Sequence, residues 1–203
     1  MTTTLLVLFA GAVLLVNGRA VQVLIAYVVL ALTVTALGVT VAVSSPVTLV
    51  LFTVATLLKV VVAPLAILIF LRMNPAAGDL RPSIPLPARL MLAIAFALLA
   101  HMVLRYPSVA VVPMADSIAF VVLCGIGMLI VHRNLLAHMI GLLVLGIGIG
   151  FAGAMLAPEL PEVIELGTTF DALVAMFIGL TIVRAIVVND PLLDVDSLRR
   201  LRG

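Results

Sequence analysis

The 203-residue chain has no tryptophan, one cysteine and two tyrosines, and only 10% of its residues are charged. Each shortage removes a class of protein. A single thiol, Cys124, can form neither an intrachain disulfide nor a thiolate metal site, and within its apolar run it reads as a small buried or lipid-facing residue. The lack of tryptophan leaves no aromatic belt to mark membrane interfaces. The formal net charge of +2 arises from basic residues scattered between hydrophobic runs rather than gathered on one face, which argues against nucleic acid as a partner. Residues 1–19 lack the basic leader of a cleaved signal peptide and are followed by further apolar segments, so they read as a retained first helix. There is no phosphate loop, nucleophile motif or metal-ligand spacing, hence no metal site and no sign of an enzyme acting on its own.

What the chain does have is apolar surface. It is 65% hydrophobic, with a mean hydropathy of +1.43, too little polar surface to cover a soluble globule. The expected fold is all-α: a single polytopic membrane domain over 1–203. A spanning helix needs about 20 mostly apolar residues, and seven segments qualify or nearly do: about 2–16, 20–43, 46–72, 88–104, 115–131, 135–156 and 163–188. Four belong to an N-terminal part, 1–106, and three to a part spanning 107–188. Residues 74–87, rich in proline, form the longest polar loop, and 107–114, broken by two prolines, should be extended or interfacial. The polar tail 189–203 lies outside the bilayer.

Seven crossings place Arg19, Arg72, Arg81, Arg89, Arg133, Arg199, Arg200 and Arg202 on the side of the C-terminus, against Arg105 alone on the other. By the preference of basic residues for the cytoplasm, the N-terminus should be outside and the C-terminus cytoplasmic.

Four ionisable residues are candidates for a proton pathway. Lys59 lies about 13 residues from either end of its helix, roughly 20 Å from each surface, too deep to snorkel out. A proton relay and a structural ion pair are both open to it, and Asp171 on the last helix lies at nearly the right depth to be its partner. Glu165 and Asp171 are six residues apart and so point to different sides of one helix. Glu165 is a helix-start carboxylate favoured by the dipole or a functional acid; Asp171, two turns deeper, is the stronger candidate, since a carboxylate at bilayer depth costs about 2.5–3.5 kcal/mol unless it has a partner. His138, one turn into the sixth helix, joins from the cytoplasmic side or is a satisfied structural histidine. His101 and His132 lie near helix ends, where solvent exposure explains them. A different signal is the row Gly146, Gly150 and Ala154, with Gly148 and Ala152 beside it: small residues spaced by four, which let membrane helices approach closely.

Several motifs now carry a family resemblance. Arg133-Asn134-Leu135-Leu136 leading to Gly141, Pro158-Glu159-Leu160, Glu165-Leu166-Gly167 and Phe170-Asp171-Ala172-Leu173-Val174-Ala175 resemble hydrogenase-4 component E, the HyfE-type membrane subunit of group 4 nickel–iron hydrogenase and formate hydrogenlyase complexes. Leu58-Lys59-Val60 with Pro64-Leu65 is similar to that family's third helix, and the tail Leu193-Asp194-Val195-Asp196-Ser197-Leu198 to the related NuoK/MrpC group. The resemblance implies a NuoK-like arrangement of the last three helices and a non-catalytic subunit in the membrane arm of a complex-I-related oxidoreductase. Such a subunit connects antiporter-like and quinone-subunit-like membrane partners to a hydrogenase-like redox module. This chain itself would hold no cofactor; the nickel–iron centre and iron–sulfur clusters would lie in partner subunits. The resemblance further implies a share in proton translocation, with Asp171, Glu165 and Lys59 matching the family's acids and lysine. One departure weighs against that share: Gly146-Ile147-Gly148 stands where the family has Glu-Asn-Gly. The alternative is an MrpC-like subunit of a multisubunit cation/proton antiporter, against which seven helices rather than three argue.

Overall fold

A computed structural model of the protein describes residues 2–42, 46–103, 114–156 and 161–187. Among these residues the chain is all-helical, with no strand, and forms seven helices: α1 (Thr2–Val16), α2 (Ala20–Ala42), α3 (46–73), α4 (Leu86–Val103), α5 (Ala115–Val131), α6 (Leu135–Leu156) and α7 (Pro161–Val187). Four helical stretches are long and apolar enough to cross a membrane, Ala20–Val39, Thr53–Met73, Leu135–Gly153 and Leu166–Ala185. The remaining helices are apolar but shorter. The helix bounds agree with the apolar runs to within about two residues. The expected extended piece at 107–114 lies outside the described residues apart from Met114, and the tail 189–203 lies wholly outside them.

Helix α3 is not uniform. It is α-helical over Pro46–Leu57, widens to a π turn over Leu58–Val62, and is α-helical again over Ala63–Met73. The cause is local. Pro64 has no N–H, and its ring would crowd the preceding turn of a regular helix. A π turn absorbs the misfit, with Ala63 N–H donating five residues back to the Leu58 carbonyl.

Consecutive helices run antiparallel, and the α1–α2, α3–α4 and α5–α6 connections collect at one end. There the end of α1 is satisfied by groups distant in sequence. Arg89 of α4 donates to the Val16 carbonyl, His132 Nε2 lies 3.0 Å from the Asn17 carbonyl, and the Leu80 N–H donates to the Gly18 carbonyl at 2.8 Å. Ser83 closes α5, its N–H and hydroxyl both donating to the Val131 carbonyl, and Asn134 caps α6 by accepting the Leu136 N–H at 2.8 Å. The Asn134 amide also donates to the Asp79 carbonyl at 3.0 Å, so the loop between α3 and α4 is tied to both neighbouring turns. Cationic side chains at helix C-termini offset the dipole as well as the orphan carbonyls. Arg19, Arg72, Arg81, Arg89 and Arg133 all belong to this end, and Arg184, on the cleft shared with Asn74, joins them. The other three arginines counted on that side lie in the tail, outside the described residues.

The core runs through both halves of the chain. Leu14, Leu15, Tyr27, Leu30, Ile67, Phe120, Met128 and Ile140 are fully buried in one cluster. Helix α6 packs between α5 and α7 through glycines. A Cβ on Gly148 would come within 2.8 Å of Val122 Cγ2 and 3.1 Å of Val122 N, and one on Gly125 within 2.9 Å of Leu145 N. These spacings admit no side chain without backbone movement.

Candidate functional site

The candidate site is built from Lys59 of α3 and Asp171 of α7, which lie away from the arginine-rich end, and from His138 of α6, which lies near it. Lys59 lies in the π turn of α3 and is only 5% exposed, so its ammonium does not reach either surface. It is engaged within the fold rather than free. The π turn also leaves the Lys59 carbonyl without a helical donor. Its usual partner, Ala63 N–H, has turned to Leu58, and the next residue, Pro64, has no N–H to give. The Tyr27 hydroxyl of α2 supplies the missing bond, donating to the Lys59 carbonyl at 3.1 Å with both groups buried. Tyr27 was not among the residues the sequence singled out, although one signal pointed to it: a tyrosine in an otherwise apolar run needs a hydrogen-bond partner once buried.

The expected ion pair between Lys59 and Asp171 is not formed. Asp171 is exposed on α7 and has no hydrogen bond or ion pair among the described residues, whereas Lys59 is sealed inside the bundle. The reason is rotational. Depth along parallel helices was readable from residue counts, but the side on which each side chain emerges depends on how α3 and α7 are turned about their axes. Asp171 faces a cleft of about 310 Å³ whose lining includes Gly146, Ala172 and Ala175 with Leu142, Ile149 and Thr168.

The antiparallel register of α6 and α7 is readable from three close approaches. Gly153 lies against Ile164, Gly146 against Ala172 and Gly179 against Met139. Asp171 is therefore level with Ile147. His138 is nine residues back along α6, about 14 Å at 1.5 Å per residue, so it does not meet Asp171. Its Nδ1 lies 2.9 Å from the Asn134 carbonyl, the local contact of a histidine in the first turn. The pathway joining Asp171 to His138 is thus not assembled by direct contact in this chain. Glu165 lies within α7, and its side chain is outside the described residues, as is that of Ala154.

Within the small-residue row, Gly146 makes a looser approach than Gly148. A Cβ there would meet only Ala172 Cβ, at 3.6 Å, an ordinary contact. The tight approaches fall on Gly148 toward α5 and on Gly153, where a Cβ would lie 2.5 Å from Ile164 Cγ2, toward α7. Gly146 instead lines the cleft in front of Asp171.

His132 is not explained by solvent exposure. It is 2% exposed, and burial holds its imidazole below the ordinary value of 6.5, against the opposing effect of its backbone contacts at Asn17 and Met128. His101 is exposed, as expected. Among the described residues no three histidine, cysteine or carboxylate side chains gather as a metal site.

These features define an all-helical protein whose long apolar helices are compatible with a membrane location. Compared with known proteins, the chain matches no family model, no curated protein and no solved structure.

Proposed function

We propose that this chain is a non-catalytic, seven-span subunit in the membrane arm of a complex-I-related oxidoreductase of the group 4 hydrogenase or formate hydrogenlyase type. It connects antiporter-like and quinone-subunit-like membrane subunits to the redox module, with its N-terminus outside and its C-terminus cytoplasmic. The reading rests on the motif resemblance of the chain to hydrogenase-4 component E. The observation that carries it furthest is the placement of two ionisable side chains far from the arginine-rich end: Lys59 sealed at a π turn, and Asp171 on an uncovered face. π turns inside helices recur at functional sites, and an intramembrane carboxylate without a partner among the described residues fits a subunit of a larger assembly. With Gly146 in place of a carboxylate and His138 about 14 Å from the level of Asp171, a continuous proton path needs groups from neighbouring subunits. Connection is therefore the primary role, and proton transfer a role shared with partners.

Purification of the tagged protein from its own membranes in mild detergent tests the reading. Co-purification of nickel- and iron–sulfur-containing subunits is the expected result. Recovery with antiporter subunits and no nickel or iron favours the MrpC-like alternative, and a lone monomer overturns both.

A further inference from the structure

We propose that the cleft between α6 and α7 is a socket for a lysine or arginine side chain carried on a membrane helix of a different polypeptide, with Asp171 as its counter-charge. The inference deepens the subunit assignment and rests on it for the existence of a partner, but the argument for what the partner carries is local.

Depth comes first. Helix α7 has 27 residues, about 40 Å of axial length, against a hydrocarbon core of about 30 Å. Centred in the bilayer, it projects about 5 Å at each end. Asp171, ten residues after Pro161, then lies about 10 Å inside the hydrocarbon. An ionised carboxylate facing lipid at that depth is disfavoured by several kcal/mol on most estimates. Asp79 and Asp116, also ionisable, lie in the α3–α4 loop and in the first turn of α5, where water explains them. Asp171 has no such explanation.

Among the described residues none supplies the counter-charge. Lys59, the basic residue nearest in depth, is 5% exposed and turned into the bundle. Arg184 lies 13 residues further along α7, about 20 Å toward the arginine-rich end. Among the described residues, a second copy in the same orientation offers only the same sealed lysine and an Arg184 about 20 Å away in depth, so the proposed partner is a different polypeptide.

The shape of the cleft fits a long side chain with an apolar stem and a charged tip. Gly146, Ala172 and Ala175 leave the space open, Leu142 and Ile149 flank it, and Asp171 is the acid in its lining. Lysine and arginine bury their methylene stems along such walls while the head group seeks a charge. The absence of a side chain at position 146 is part of the design: with a Cβ meeting only Ala172, a larger residue fits there and would occupy the space the partner needs. The exposed strip Phe170, Val174, Phe177 and Ile178 continues along α7 and gives the partner helix an apolar surface to lie on.

The test uses the assembled protein in its native membranes. Leu142→p-benzoylphenylalanine and Ile149→p-benzoylphenylalanine are photolysed, and the adducts are identified by mass spectrometry. Cross-links to a membrane helix of another protein, with a lysine or arginine within one turn of the adduct, are expected. Asp171→Asn, close in size, should lower recovery of that partner about tenfold, in line with the loss of one member of a desolvated charge pair. Exchanging the charges, Asp171→Lys with the partner's basic residue changed to aspartate, should restore it. Adducts to lipid alone, to a second copy of this chain or to a helix without a basic residue overturn the socket, as does full partner recovery with Asp171→Asn. A basic helix from a membrane protein outside any redox complex upholds the socket and overturns the subunit assignment. A redox complex that co-purifies while the cleft labels only lipid overturns the socket alone.

Discussion

The buried carbonyl of Lys59 accepts from the Tyr27 hydroxyl, because the π turn redirects the Ala63 N–H to Leu58 and Pro64 has none to give. Tyr27→Phe deletes that hydroxyl with little change of shape. It should lower stability in detergent by about 1 kcal/mol, between the ~0.6 kcal/mol average for membrane hydrogen bonds and the larger penalty of an orphaned buried group. A thermal melt checks it; an unchanged midpoint would show that another donor takes over. His132 sets a pH dependence at the arginine-rich end. Burial lowers its pKa below 6.5, so the unfolded chain takes up a proton that the folded chain resists. Stability is therefore highest above pH 6.5 and falls as pH drops below it. His132→Gln should flatten this part of the pH profile of the melting temperature. The tyrosine in an apolar run asked for a partner without naming it, and the sequence placed His132 near a helix end without its burial, which brings its Nε2 to the Asn17 carbonyl, distant in the chain.

Helix packing separates glycines that look alike in sequence. Gly146 and Gly148 belong to neighbouring rows of small residues on α6, yet they face different surroundings. Gly148→Ala must displace Val122, including its backbone nitrogen at 3.1 Å, and should destabilise by about 1–3 kcal/mol. Gly146→Ala makes only an ordinary contact with Ala172 and should stay within about 0.5 kcal/mol of the parent. Melting curves of the two variants in one detergent decide the matter; equal effects would refute this account of the α5–α6 contact. The four-residue spacing marked α6 as a packing helix. It left open which row meets α5 and which lines a cleft, because that depends on the rotation of α6 between two neighbours.

For the whole molecule, the alternation of seven helices gathers the described arginine-bearing turns at one end. The proposed orientation places that end in the cytoplasm. Cys124 is buried, which makes it a silent background for labelling. Arg19→Cys should react with a membrane-impermeant maleimide only in inverted vesicles, and His101→Cys, at the opposite end, only in intact cells. The reverse pattern would invert the topology, and labelling of both from one side would refute the three crossings between them.

Composition and the spacing of apolar runs determined the helical class, the helix bounds and the common end of the arginines, because burying apolar surface and satisfying the backbone within each segment are local demands. Proline at 64 likewise wrote the π turn into α3 by removing a donor. The tertiary structure decided which side chains face each other. It turned Lys59 into the bundle and Asp171 outward onto a cleft, so two residues at similar depth do not pair. Rotation of a helix about its axis is set by the packing of glycines and large side chains on several helices at once, and no single segment contains that information.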